Sequence, residues 1–309
     1  MEQWDDYETH IVIHPPKEFS FDEVLGYLQR SPNECLHRVE NRRVLKLMAV
    51  AGAVCFVVIE ESTSSNDITV HFPDGPTPTK EQRLEVVRAV WNWFDLDTDL
   101  RPFYTMAQTD TLLKELVTDY YGLRIVGVQD LFEAISWAII GQQINLTFAY
   151  TLKRRFIEAL GTGVEREGEM YWLFPTPAVV AGLEPERLTS LQFTGKKAEY
   201  LINVAGKIAD GELTKEKLIA MGNFAAAEKA LTAIRGIGPW TASYVAMRCL
   251  RNRAAFPVGD VGLQNAIKHQ LGLDRKPTEN ELRKLAIPWR GFEAYATFYL
   301  WRSLQGLSA

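Results

Sequence analysis

Cysteine is scarce in this chain. Cys35, Cys55 and Cys249 stand far apart and form no C-x-x-C pair, which excludes a disulfide framework and a cysteine metal site. The five histidines, His10, His14, His37, His71 and His269, show no metal-ligand spacing either. Long apolar runs are also missing. The longest, Leu47 to Ile59, is too short to cross a bilayer and carries Gly52 at its middle. The start MEQWDDYETH is polar and acidic, unlike a secretory signal. The expectation is a soluble, cytoplasmic protein with no membrane attachment. A basic excess, the usual footprint of nucleic-acid binding, is absent as well, since the net charge is −5.

That acidity is unevenly spread. Residues 1–99 carry 9 basic and 18 acidic side chains, a balance of −9, whereas residues 100–309 carry 25 and 21, a balance of +4. A modest basic surface on the second part, with Arg248, Arg251 and Arg253 as candidates, is enough to dock a duplex. A length of 309 residues with 47% hydrophobic content fits two or three domains with a sizeable core.

Element order divides the chain at about residue 100. HIVI, CLHRVE, RRVLKLMAV, VCFVVIEE and DITVHFP read as strands. FSFDEVLGYLQR reads as a helix with Ser20 at its N-cap. A helix against an antiparallel sheet gives an α+β domain over 1–99. PDGPTPTK is a loop, and EQRLEVVRAVWNWFDL a helix after it. From 100 to 309 the pattern is mostly helical, predicting two lobes with a cleft between them and a hairpin at 228–251. One long periodic stretch, DLFEAISWAIIGQQINLTFAYTLKRRFIEAL, is interrupted at Gly141-Gln142-Gln143-Ile144. FPTPAVVAGL joins two helices, and a further helix begins near Thr194 to Lys197.

The most informative stretch runs from Leu231 to Leu263. A periodic run ends at Arg235, Gly236-Ile237-Gly238 makes a tight turn, and Pro239 opens a second helix from its favoured first position. The two glycines allow positive φ, and Ile237 between them can plug the gap between the helices. Such a turn leaves outward amides that suit one phosphate oxygen, without regard to base sequence. A plain helix–Gly–helix connection has the same pattern. Trp240 and Tyr244 share a face of the new helix, and Asp260 follows twenty residues after Trp240 in FPVGDVGLQ. Asp260 there also suits a simple N-cap.

Taken together, GIGPWTASY and the following aspartate resemble the helix-hairpin-helix DNA glycosylases, and more narrowly the AlkA-type 3-methyladenine DNA glycosylases. The resemblance implies a base-excision-repair enzyme that flips an alkylated purine out of double-stranded DNA and hydrolyses its N-glycosidic bond. It implies Asp260 as the catalytic carboxylate and Trp240, Tyr244 and Trp301 as walls of the base pocket, with Trp289 structural. It places the DNA wedge at GQQI, with Gln143 favoured and Ile144 or Gln142 as alternatives. The basic segment at Lys196-Lys197 would add a second phosphate contact. Members that also cut the backbone carry a lysine two residues after the second hairpin glycine, where this chain has Trp240. Without that amine no imine forms, so a monofunctional enzyme leaving an abasic site is expected. No cofactor is required, and the three scattered cysteines leave no place for the iron–sulfur cluster of some relatives. The resemblance also implies a structural Na or K ion on main-chain oxygens of Thr232, Ile234 and Gly236. A monomer is expected. Two other readings use the same residues: a glycosylase for oxidised or deaminated bases, and a non-catalytic hairpin protein that only binds DNA.

Overall fold

The computed structural model describes residues 3–73 and 78–306; positions 74–77 of the expected Pro/Gly loop lie outside them. Six strands form one antiparallel sheet: β1 (Trp4–Asp6), β2 (His10–Ile13), β3 (Arg38–Glu40), β4 (Arg43–Val50), β5 (Ala53–Glu61) and β6 (Ile68–His71). Their spatial order is β1-β2-β6-β5-β4-β3. Side chains alternate across the sheet, as the two-residue strand period requires. Val44, Met48 and Val50 of β4 and Val57 and Ile59 of β5 face the main core. Leu47 and Phe56 face the other way.

The core face receives α1 (Phe21–Leu28) and α2 (Lys80–Trp93). Ser20 caps α1, accepting from the Glu23 amide as its sequence position suggested. Thr79 and Gln82 cap α2 reciprocally. The chain then runs through α3 (Arg101–Ala107), α4 (Lys114–Asp119), α5 (Leu131–Gly141) and α6 (Leu146–Leu160). The interruption at Gln142 to Asn145 is a true break between α5 and α6, and the Asn145 side chain caps α6.

An unforeseen hairpin follows: β7 (Thr162–Arg166) with β8 (Glu169–Leu173). It reaches back across the outer face of the first sheet, where Tyr171 packs with Leu47 and Phe56. FPTPAVVAGL is therefore not a plain helix-to-helix joint. It leaves this hairpin and forms the one-and-a-half-turn α7 (Pro177–Ala181). Next come α8 (Pro185–Thr189), α9 (Gly195–Ala209), α10 (Lys215–Ala220), α11 (Phe224–Thr232), α12 (Pro239–Arg248), α13 (Val261–Gln270), α14 (Glu279–Leu285) and α15 (Glu293–Ser303).

Two large cores result. One is built by α5, α6 and α9 with the buried faces of α11 and α12. The other joins the sheet, α1 and α2 to α13 and α15 in a single buried cluster. Residue 100 marks a change of secondary structure, and this second core passes through it. Trp289 belongs here: fully buried, it donates to Asp110 at 2.8 Å. Three polar anchors tie α15 to the first hundred or so residues. Tyr299 bonds Tyr104 at 3.0 Å, Tyr295 bonds Asp95, and Arg302 bonds Glu23 at 2.8 Å.

Candidate active site

The hairpin turn joins α11 to α12. Ile237 is 4% exposed and fills the space under the turn. Gly236 has φ +96°, and a Cβ there would stand 2.3 Å from the Tyr200 ring. Gly238 differs from expectation: its φ is −91°, open to any residue, and a Cβ would meet nothing within 4 Å. Its smallness leaves room above the turn. Among the described residues, the amides of Gly238, Trp240 and Thr241 have no protein acceptor. Unpaired amides at a helix start are the kind of donors that can seat an anion.

Two of the three oxygens expected to hold an ion are already engaged. The Ile234 carbonyl accepts from the Ile237 amide at 3.0 Å. The Gly236 carbonyl accepts from Gln142 Nε2 at 2.9 Å. A carbonyl oxygen has two lone pairs, so neither bond fills its acceptor capacity. Among the described residues no group of His, Cys, Asp or Glu could hold a metal.

Asp260 closes the loop from α12 and caps α13 through the Leu263 amide at 2.7 Å. Its carboxylate also accepts two indole N–H bonds. Trp301 donates to Oδ1 at 2.8 Å and Trp240 to Oδ2 at 2.9 Å. Capping and site placement are therefore one arrangement. Three donors from α12, α13 and α15 fix the plane of a carboxylate that is 8% exposed. The flanking rings form a continuous wall. Trp240 and Tyr244 have centroids 5.8 Å apart, and Tyr244 and Trp301 6.4 Å. Both indoles are half-buried, whereas Tyr244 is buried behind them. Burial pushes the Tyr244 phenol well above its usual range, against the pull of Arg248.

Behind Tyr244 lies a group of residues that pattern reading missed. Arg248 Nη1 donates to the hydroxyls of Tyr244, at 3.2 Å, and Tyr27. Arg30 donates to the hydroxyls of Tyr27 and Tyr150. These residues line one end of a cavity of about 400 Å³ between the sheet domain and α5 and α6. At its other side Lys153 pairs with Glu34 at 2.9 Å and with Glu133 at 3.6 Å. Burial opposes charge on both Glu34 and Lys153. Several partners together outweigh it: Lys153, His37 and the Leu36 amide hold the Glu34 carboxyl low, and Glu34 and Glu133 hold the Lys153 amine high.

Gln143 is exposed with φ +57°, so it stands out from the break between α5 and α6. Ile144 is partly buried in the helical core, and Gln142 turns inward to the hairpin. The expected basic surface is smaller than the arginine count suggested. Arg248 is buried, Arg251 bonds Asp95 at 2.9 Å, and Arg253 alone of the three is exposed. Lys197 is internal too, bonding the Ile140 carbonyl at 2.7 Å, so only Lys196 of that pair faces solvent.

A helical hairpin with free amides, followed by a carboxylate flanked by an aromatic wall, is the arrangement of a helix-hairpin-helix DNA glycosylase. Residues 136–290 match the HhH-GPD superfamily of base excision DNA repair proteins, and residues 14–135 the N-terminal domain of 8-oxoguanine DNA glycosylase. The chain belongs to that superfamily and, within it, to the AlkA-type 3-methyladenine DNA glycosylases. It is 46% identical over 302 residues to the DNA-3-methyladenine glycosylase of Bacillus subtilis, covering 97% of this chain and 99% of that one. Among solved structures, the 3-methyladenine DNA glycosylase of Archaeoglobus fulgidus superimposes with a TM-score of 0.77 at 22% identity, covering 96% and 99% of the two chains. The 8-oxoguanine glycosylase/lyase of Clostridium acetobutylicum, in complex with double-stranded DNA, gives 0.75 at 18% identity over 100% and 99%. Among the described residues no helix is long and apolar enough to cross a membrane.

Proposed function

We propose that this protein removes alkylated purines of the 3-methyladenine and 7-methylguanine type from double-stranded DNA. It is a base-excision-repair DNA glycosylase. The observation that carries the mechanism is the Asp260 carboxylate held between two indole N–H donors. Breaking the N-glycosidic bond builds positive charge on the sugar, in an oxocarbenium-like state. Asp260 sits at the head of the aromatic recess, where a carboxylate stabilises that charge and orients the attacking water. Trp240 and Trp301 do two things at once: their N–H groups fix the carboxylate and their faces receive the base. N3- and N7-alkylated purines are cationic, so stacking on these faces contributes about 0.5–2 kcal/mol per pair. The alkylated base leaves without a strong acid, and no histidine lies between Leu231 and Leu263 to supply one.

The base reaches this recess by rotating out of the duplex, while the hairpin amides grip a phosphate and Gln143 occupies the vacated stack. Trp240 offers no amine to form an imine, so the product is an intact strand with an abasic site. The protein works as a monomer inside the cell, on DNA. The test is base release from methylated duplex, scoring strand breaks before and after hot alkali. Methylpurine release with breaks only after alkali supports the reading. Breaks without alkali would overturn the monofunctional assignment. Release from an 8-oxoguanine duplex instead would reassign the substrate, an outcome kept in view by the match of residues 14–135.

A further inference from the structure

The turn that carries Gln143 is tied down from two sides. On one side Lys197, 8% exposed and without a carboxylate partner among the described residues, donates to the last-turn carbonyl of Ile140 at 2.7 Å. On the other, both hydrogens of one amide are spent on the hairpin. Gln142 Nε2 donates to the Gly236 carbonyl at 2.9 Å and to Thr241 Oγ1 at 3.2 Å. Its two acceptors flank the turn whose amides are unpaired. Gly236 is itself immobilised against Tyr200, and Thr241 is 1% exposed.

A simple helix junction does not need this link. The end of α5 has its Lys197 partner, and α6 is capped by Asn145, which accepts from the Phe148 amide at 2.8 Å. The Gln142 side chain serves neither helix end. It joins the wedge turn to the phosphate seat, across 94 residues of sequence. The next residue, Gln143, has its backbone in the left-handed region at φ +57°, which an L side chain holds only where its surroundings impose it.

We propose that Gln142 is a positioning residue that couples seating of a DNA phosphate on the hairpin to insertion of Gln143 beside the lesion. This rests on the glycosylase reading above. Phosphate contacts fix a protein's register on the duplex but leave the bases stacked. Extrusion needs a side chain to occupy the vacated stack at a defined depth. A misplacement of about 1 Å is enough to lower a rate a hundredfold. With the link in place, one phosphate contact sets the position of the wedge; without it, the turn and the seat move separately.

The test is single-turnover base release by Gln142→Met, which keeps the length of the side chain and removes both donors. One duplex carries a methylated purine opposite its normal partner. A second carries the same lesion opposite an abasic analogue, where less pairing opposes extrusion. A binding assay uses a duplex with an uncleavable abasic analogue. We expect release from the paired duplex to slow about tenfold, the effect of losing a typical hydrogen bond. Against the abasic partner the deficit should shrink to about twofold, with DNA affinity near that of the unaltered protein. An equal deficit on both duplexes would show a general structural role and overturn the proposal, as would no deficit on either. Should Gln142→Met fail to fold, Thr241→Val removes one acceptor and must show the same split. Unaltered protein that releases no base from either duplex would overturn the glycosylase reading itself.

Discussion

Gly262 lies against the edge of the Trp301 indole. A Cβ at this position would stand 3.2 Å from Trp301 Nε1 and 3.0 Å from Asp260 Oδ1. The bond between that indole and that carboxylate therefore depends on the missing side chain. Gly262→Ala should lower kcat/KM for methylpurine release roughly three- to tenfold, a cost of about 1 kcal/mol in transition-state stabilisation. The helix itself should gain slightly in propensity. A lower rate with an unchanged or raised Tm is the expected pair of readings; a lower Tm with an unchanged rate would contradict it.

Asp260→Asn removes the charge and keeps the cap, because asparagine is as good an N-cap as aspartate. Base release should fall by at least about a hundredfold, as when a key electrostatic group is removed. DNA binding should change little, and Tm should fall modestly, because an amide NH2 replaces Oδ2 opposite the Trp240 N–H. Comparison with Asp260→Ala, which also loses about 1 kcal/mol of capping, separates chemistry from folding. A DNA-binding protein without activity would show no release to lose, so this variant also decides that alternative.

Trp240→Phe and Trp301→Phe each keep an aromatic face and remove one N–H donor to Asp260. Each should slow release roughly ten- to a hundredfold, the value of one hydrogen bond to a charged group. Because both donors act on one carboxylate, the double variant should depart from additivity. Rates for the four proteins measure that coupling.

Lys153 and Glu34 are 8% and 9% exposed and face each other across the cavity wall. Lys153→Met leaves Glu34 buried without its partner and should destabilise the fold by about 3–5 kcal/mol. Adding Glu34→Gln should restore most of that. Urea denaturation of the two variants checks both the size and the recovery.

Burial holds His37 down to about 4 from 6.5, against the opposing field of Glu34. The unfolded chain therefore takes up this proton first as pH falls. The stability linked to His37 is complete above 6.5 and lost progressively between 6.5 and about 4. Tm should decline over that window. His37→Gln, which can still donate to the Leu28 carbonyl, should flatten the decline.

Much of this was readable from local pattern. The strands β2 to β6 follow from alternating side chains, and the α5–α6 break from Gly141 and two glutamines in an apolar run. The hairpin and Asp260 follow from residue type and spacing. Two kinds of feature were not readable. In the hairpin of β7 and β8, β7 is largely exposed and carries Gly163, and the turn at Glu167-Gly168 lacks the usual Asn or Asp. Arg248 and Arg251 look like surface charges because their partners are remote: Tyr27 lies 221 residues from Arg248, and Asp95 156 residues from Arg251. Local pattern carries no sign of such pairings. That Gln142 turns inward while Gln143 is exposed was hidden for the same reason, since it depends on a hairpin 94 residues away.

The shared core of α15 and the sheet has a consequence for synthesis. Tyr295, Phe298, Tyr299 and Leu300 are buried among residues of the first hundred or so, which leave the ribosome about 200 residues earlier. At ~5–20 residues per second, the early sheet waits on the order of ten to forty seconds for the helix that completes its core. During that interval α1 and α2 cover the apolar inner face, but the contacts from α15 are missing. Trp301 rides on the same helix, so its bond to Asp260 forms together with the α15 core contacts.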